Sequence, residues 1–149
     1  MRIVGPESYA LSFDSESFQL EESLSGSARS KLPKLYIVSV DRVPIYVGIT
    51  KQPIRNRLRS GWKADGKNGY YGYAWRHHIN QAQIDLWFDE SDSTDRSLLN
   101  LETIEAEVVF LIRKAGQWPE HQTEIHFHPS SEGHREIAAR IMGHYRSSN

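Results

Sequence analysis

Two tyrosines and an arginine lie close together in residues 35–61, LYIVSVDRVPIYVGITKQPIRNRLRSG. Tyr36 and Tyr46 each belong to a short apolar run, and Arg57 follows Pro53 by about one helical turn. A guanidinium can clamp a phosphate through two parallel hydrogen bonds and balance the charge that develops on it. A phenol, with its ordinary pKa of about 10, is a poor base unless a cation lowers that pKa. If these three side chains converge, they suit the cleavage of a phosphodiester bond.

Cleavage of this kind also calls for a carboxylate that holds a divalent metal near the leaving oxygen. A predicted helix over residues 97–115 offers Glu102, Glu105 and Glu107. Glu102 and Glu105 share one helical face, and Glu105 borders the apolar stripe of that helix, which places it at the rim of a cleft. Glu107 points to roughly the opposite side. The pattern alone leaves Glu102, Glu105 and Glu107 as candidate metal ligands.

The elements that must position these groups alternate between strands and helices. Residues 35–40 and 45–49 predict two antiparallel strands joined by a short turn. A helix is expected from Pro53 to Arg59, with Gly61 as its stop signal. The later predictions are a strand at 83–88, a helix from Ser97 to about Ala115 capped by Asp95 or Ser97, a strand at 123–128 and a terminal helix within 130–146.

The N-terminal residues predict a hairpin with strands at 8–13 and 17–22, followed by a Ser-rich loop at 23–31. We therefore divide the chain into an N-terminal extension, residues 1–30, and a main domain, residues 31–149. The expected fold class is α+β, with a small, mainly antiparallel central sheet flanked by helices.

Composition narrows the class of protein. The chain has 149 residues, a net charge of -1 and no cysteine, so disulfides and thiol catalysis are excluded. No apolar run is long enough to span a membrane, and no signal peptide is recognisable, which predicts a cytoplasmic protein. Residues 51–78 carry seven Lys or Arg against one Asp, whereas residues 85–107 carry eight acidic residues against one Arg. The basic stretch can attract phosphates locally.

The motifs in this order resemble the GIY-YIG nuclease superfamily. Its first tripeptide appears as Lys34-Leu35-Tyr36 and its second as Tyr46-Val47-Gly48, and PIRNRLRSG resembles its arginine helix. IEAEVV resembles its glutamate motif, and WPEHQ resembles the segment that usually ends in a functional asparagine, where this chain has Gln122. The resemblance covers residues 34 to about 127 and implies a fold of the kind predicted above.

The resemblance also implies a metal-dependent DNA endonuclease that hydrolyses its substrate in one step. Tyr36 would be the general base, Tyr46 would support the phosphate or the water, and Arg57 would hold the scissile phosphate. Glu105 would bind one Mg²⁺ or Mn²⁺. His77 or His78 could share the base role, because an imidazole titrates near neutral pH.

DNA is the expected partner, RNA is not excluded, and a homodimer is possible because one such site cuts one strand. The enzyme class would be repair, restriction or mobile-element endonuclease. The residues expected to bind the nucleic-acid backbone are Lys51, Arg55, Arg59, Lys63, Lys67 and Arg76. The aromatic run at 70–75 is expected to pack in the core rather than to stack on bases. Two alternatives remain open: a non-catalytic nucleic-acid-binding module on the same scaffold, and a protein-interaction domain.

Overall fold

Strands from distant parts of the chain build one antiparallel sheet. The computed structural model describes residues 1–14, 16–20, 23–63, 73, 79–90, 94–114 and 130–146. Within these ranges the strands are β1 (Ile3–Phe13), β2 (Phe18–Leu20), β3 (Lys34–Val40), β4 (Val43–Thr50) and β5 (Gln81–Asp89). The helices are α1 (Gly26–Arg29), α2 (Ile54–Lys63), α3 (Thr94–Lys114) and α4 (Glu132–Met142). The predicted α+β fold with a small antiparallel sheet flanked by helices is confirmed.

The N-terminal hairpin is part of this sheet. The strand order is β2-β1-β5-β3-β4, so β1 lies between β2 and β5. Leu11 pairs with Leu20 in β2, and Tyr9 pairs with Ile84 in β5. The apolar residues that alternate along β1, such as Tyr9 and Leu11, are buried in a core on one face of the sheet. The division that we made at residue 30 therefore does not correspond to a break in the sheet.

Helices cover both faces of the sheet and create two apolar cores. One core contains Tyr36 and Val38 of β3 together with residues of α1 and α2. The other contains Leu35 and Ile37 of the same strand together with residues of α3 and α4. Strand β3 is buried on both faces, which explains its nearly continuous apolar sequence. None of the helices in the described ranges has the length and apolar character that a membrane span requires.

Two predictions about the α1 and α2 region were wrong. The Ser-rich segment contains the short helix α1, because the Ser25 side chain accepts a hydrogen bond from the Ala28 N–H (3.0 Å) and caps the turn. Pro53 lies directly before α2, one residue earlier than the helix itself, and its carbonyl accepts the first helical hydrogen bond from the Arg57 N–H (3.1 Å), which makes it the N-cap residue. Gly61, however, lies inside α2 and does not end it.

Helices α3 and α4 form where their apolar spacing predicted them. Helix α3 already begins at Thr94, so Ser97 is a buried residue inside the helix, and neither Asp95 nor Ser97 is its cap. Helix α4 is capped by Ser131 and packs Ala138 and Ile141 into the core. The strand predicted at 123–128 lies outside the described residues.

The cap of α4 makes the stability of the fold sensitive to pH. The Nδ1 atom of His134 accepts a hydrogen bond from the Ser131 backbone N–H (3.0 Å), and Nε2 lies 2.9 Å from the Asn100 Oδ1. These contacts assign the proton of the neutral ring to Nε2, which donates to Asn100. Burial lowers the pKa of His134 from its ordinary value of 6.5. The neutral ring is thus the form that the folded state favours, and protonation of Nδ1 removes an acceptor from the cap.

We expect stability to be lost as pH falls below the unfolded-state pKa of His134 and towards its lower folded-state value. Urea unfolding measured at about pH 7.5 and 5.5 should show a smaller loss in His134→Gln than in the unsubstituted protein. Glutamine at this position keeps a capping box without a titrating ring. His144→Gln is the matched control and should retain the full loss. An identical pH dependence in His134→Gln would contradict this assignment.

Candidate active site

Tyr36 and Tyr46 lie on the same face of neighbouring strands. Tyr36 of β3 pairs with Gly48 of β4, and Tyr46 pairs with Val38, which places both phenols on the α2 side of the sheet. Their ring centroids are 5.8 Å apart. A Cβ atom at Gly48 would lie 2.7 Å from Cζ of Tyr36 and 2.8 Å from its hydroxyl oxygen. Gly48 is therefore needed because the Tyr36 ring lies directly over the β4 backbone.

A third phenol, which the sequence analysis did not assign to the site, completes this cluster. The Tyr73 hydroxyl lies 2.9 Å from the Tyr36 hydroxyl, and the Tyr73 ring is 5.3 Å from the Tyr46 ring in an edge-to-face arrangement. Tyr73 is buried, as expected for the aromatic run at 70–75. Gly61 of α2 lies directly against this ring, since a Cβ atom there would overlap Cε2 of Tyr73. Gly61 provides the space into which Tyr73 packs.

Replacing Gly61 by alanine is expected to destabilise the protein by about 1–3 kcal/mol, because overpacking displaces the Tyr73 ring. Helix propensity alone predicts the opposite sign, a gain of up to about 1 kcal/mol. Urea unfolding measures the change. Ser60→Ala, at the exposed neighbouring position of α2, should be close to neutral. A Gly61→Ala variant more stable than the parent would show that the Tyr73 contact does not matter.

Arg57 projects from α2 into the same cluster. Its Cζ atom lies 5.0 Å from the centroid of the Tyr73 ring, a cation–π distance. Ile54 and Leu58 are buried in the core beneath α2 and fix the rotation of the helix, so that Arg57 is held half-buried at the phenols. The convergence of Tyr36, Tyr46 and Arg57 that the sequence suggested is therefore seen in the structure.

Glu105 belongs to α3, whose apolar residues pack on the face of the sheet opposite to the phenols, and its side chain is only 3% exposed. Its link to the cluster is electrostatic: burial is the main cause that raises the pKa of the Tyr46 phenol, Tyr36 adds to the rise, and the charge of Glu105 makes a smaller contribution. Glu107 lies on the other flank of α3, since its charge acts on His134 of α4. Of these two carboxylates, Glu105 is the one linked to the tyrosine cluster.

Burial controls the protonation of both phenols. It is the main cause that raises the pKa of Tyr36 well above its ordinary value, Tyr73 adds to the rise, and the Arg57 charge opposes it. The pKa of Tyr46 is likewise raised, first by burial and then by Tyr36, again against Arg57. Near neutral pH the two hydroxyls thus keep their protons and are hydrogen-bond donors, suited to bind an anionic oxygen.

The other predicted site residues are distributed along the basic stretch. Lys51, Arg59 and Lys63 are exposed, and Arg55 is half-buried, on α2 or just before it. These positions leave their cations accessible to a ligand. The predicted residues that lie outside the described ranges are His77, His78, Lys67, Arg76 and Gln122.

The only carboxylate that we place in this cluster is Glu105, and the described ranges contain no group of three or more His, Asp or Glu that could hold a metal ion. A closed structural metal site is therefore not built from these residues. A single carboxylate does fit Mg²⁺, which commonly binds through one or two carboxylates and completes its coordination with water and substrate phosphate.

Comparison of the chain with protein-family models, with curated proteins and with solved structures gives no match. The relation to the GIY-YIG nucleases is thus a resemblance of motifs, and the functional argument rests on the residues themselves.

Proposed function

We propose that this protein is a divalent-metal-dependent endonuclease that hydrolyses a phosphodiester bond of DNA in one step. The supporting observation is that the Tyr36 and Tyr46 rings lie 5.8 Å apart and that Arg57 lies against the Tyr73 ring, which contacts both of them. Tyr36, Tyr46 and Arg57 come from β3, β4 and α2, and the motif resemblance selects them together with Glu105 of α3. Their chemistry would supply hydrogen-bond donors, a phosphate clamp and an oxygen ligand for a hard cation.

In the proposed reaction Arg57 binds the scissile phosphate and balances its charge, while Tyr46 donates a hydrogen bond to the phosphate or the water. Glu105 would hold Mg²⁺ or Mn²⁺, whose chemistry is the neutralisation of charge on the leaving oxygen. Tyr36 would accept the proton of the attacking water. It can do so only as the phenolate, after its own proton has passed to solvent; burial and Tyr73 oppose this ionisation, and the positive charge of Arg57 favours it.

A second candidate function is nucleic-acid binding without catalysis. The observation that favours it is that Tyr36 is fully buried and its pKa is raised, which is unfavourable for a base that must reach water. A binder of this kind would use the exposed cations of α2 and would have no cutting activity. Glu105→Ala separates the two functions, because it should abolish cutting in a nuclease and leave DNA affinity largely intact in both cases.

The test is incubation of the purified protein with supercoiled plasmid in Mg²⁺, Mn²⁺ or EDTA. The proposal predicts nicked circles with either metal and none with EDTA. DNA binding in EDTA without nicking in any metal would support the second candidate. A labelled single-stranded RNA in parallel reactions distinguishes the two nucleic acids, and the ratio of linear to nicked product reports whether two copies act together.

A further inference from the structure

A cavity of about 300 Å³ lies between α1 and the first turn of α2. It is separate from the tyrosine cluster, since Tyr36, Tyr46 and Arg57 do not line it. Its floor and walls combine apolar side chains with cations and an amide; the lining residues are Leu24, Ala28, Arg29, Pro53, Arg55 and Asn56. This mixed lining could recognise a ligand that has both polar and apolar parts or a charge opposite to that of the cations.

The charges of this cavity favour an anion. Arg29 ends α1 and Arg55 lies in the first turn of α2, so two arginines from different helices line one cavity. Within the described residues neither side chain forms an ion pair. Among the described residues that line the cavity none carries a carboxylate, and the first turn of α2 has no acidic residue. Arginine presents a planar fork of donors that matches phosphate, and the Asn56 amide adds further donors.

A buried lysine holds the two walls of the cavity at a fixed separation. The Nζ atom of Lys34 donates to the carbonyl oxygens of Ser30 (3.0 Å) and Leu32 (2.8 Å), which follow α1. It also donates to the carbonyl of Gln52 (2.8 Å), which precedes α2. Burial lowers the pKa of Lys34 to about 8, so the ammonium form still dominates at neutral pH. The arginines are therefore presented by a preorganised frame, which reduces the cost of binding.

The position of the cavity relative to Arg57 indicates which phosphate it could receive. Arg55 and Arg57 are two residues apart on α2, which corresponds to a rise of about 3 Å and a rotation of about 200°. One therefore faces the cavity while the other faces the phenols. A nucleic-acid strand that crosses the N-terminal part of α2 can reach both positions with different phosphates.

We propose that this cavity binds a non-scissile backbone phosphate of the nucleic-acid substrate, with Arg29 and Arg55 as its ligands. The inference rests on the proposed function for the identity of the substrate. It adds Arg29, an N-terminal residue outside the basic stretch, to the binding surface. It also gives a role to α1 and to Leu24 just before it, which form one wall of the site.

The test is fluorescence anisotropy of a labelled DNA oligonucleotide in EDTA, over a series of KCl concentrations. The double variant Arg29→Gln/Arg55→Gln is compared with the parent protein and with a control double variant, Arg96→Gln/Lys114→Gln. The control removes two exposed cations of α3, on the opposite face of the sheet. We expect the cavity variant to bind about tenfold more weakly and its salt slope to fall by about one, as for the loss of one phosphate contact. The control should bind like the parent.

Equal affinity and equal salt slope in the cavity variant would overturn the inference while leaving the proposed function intact. If the parent binds no oligonucleotide at any salt concentration, both fail. Inorganic phosphate is the second probe, followed by thermal unfolding. If phosphate raises the unfolding temperature of the parent but not of the cavity variant, while the two bind DNA equally, the cavity takes a free anion and the backbone assignment is overturned.

Discussion

Glu105→Gln is expected to lower the rate of metal-dependent nicking by about a thousandfold, because it removes the charged oxygen ligand that the proposal assigns to the metal. Glutamine preserves the shape of a side chain that is almost fully buried, so the variant should fold. DNA affinity measured in EDTA should change little. The measurement is the single-turnover nicking rate of supercoiled plasmid at saturating protein.

The control for this variant is Glu107→Gln, two residues along the same helix. Glu107 lies on the α4 side of α3, so its replacement should leave the nicking rate near that of the parent. If Glu105→Gln nicks as fast as the parent, the carboxylate is not a metal ligand. If Glu107→Gln is the inactive variant, the ligand was assigned to the wrong flank of α3.

Arg57→Lys should slow nicking by about a hundredfold although it conserves the positive charge. A lysine presents a point charge and cannot form the two parallel hydrogen bonds of a guanidinium to phosphate. It would also lose the planar contact with the Tyr73 ring that now helps to orient Arg57. The loss should appear in the rate at saturating DNA, because the interaction strengthens as charge develops on the phosphate.

The matched control is Arg59→Lys, which makes the same substitution at an exposed position of the same helix. Because a solvated cation that contacts a phosphate acts mainly through its charge, this variant should retain nearly the parental rate. Equal rates for Arg57→Lys and Arg59→Lys would remove the reason to assign the scissile phosphate to Arg57.

The parts of the fold that local sequence periodicity determines were predictable. Strands β3, β4 and β5 follow from short runs of β-favouring residues, and helix α3 follows from apolar residues spaced by three and four positions. The position of β1 beside β5 could not be predicted, because it depends on pairing between residues more than seventy positions apart, such as Tyr9 and Ile84. Gly61 was misread because a glycine that ends a helix and a glycine that makes space for a ring look alike in sequence.

The candidate site was predictable in part for a similar reason. Strand register alone places Tyr36 and Tyr46 on one face, and helix geometry places Arg57 near them. Tyr73 could not be assigned, because the segment before it has no periodicity that fixes its path. The direction of the phenol pKa shifts also required the structure, since burial outweighs the nearby arginine. Lys34 stands where the first resembled tripeptide begins. It proved to be a buried residue whose ammonium group links the segment after α1 to the segment before α2.

The central claim is that the Tyr36 hydroxyl takes part in metal-dependent cleavage of a phosphodiester bond. Its most direct test is the nicking rate of Tyr36→Phe beside the parent, with Mg²⁺ or Mn²⁺ and with EDTA. Phenylalanine keeps the ring over Gly48 and removes only the oxygen that meets Tyr73. The account predicts that the parent nicks with metal and that the variant is at least about a hundredfold slower. A parent that nicks under no metal condition, or a variant as fast as the parent, would contradict it.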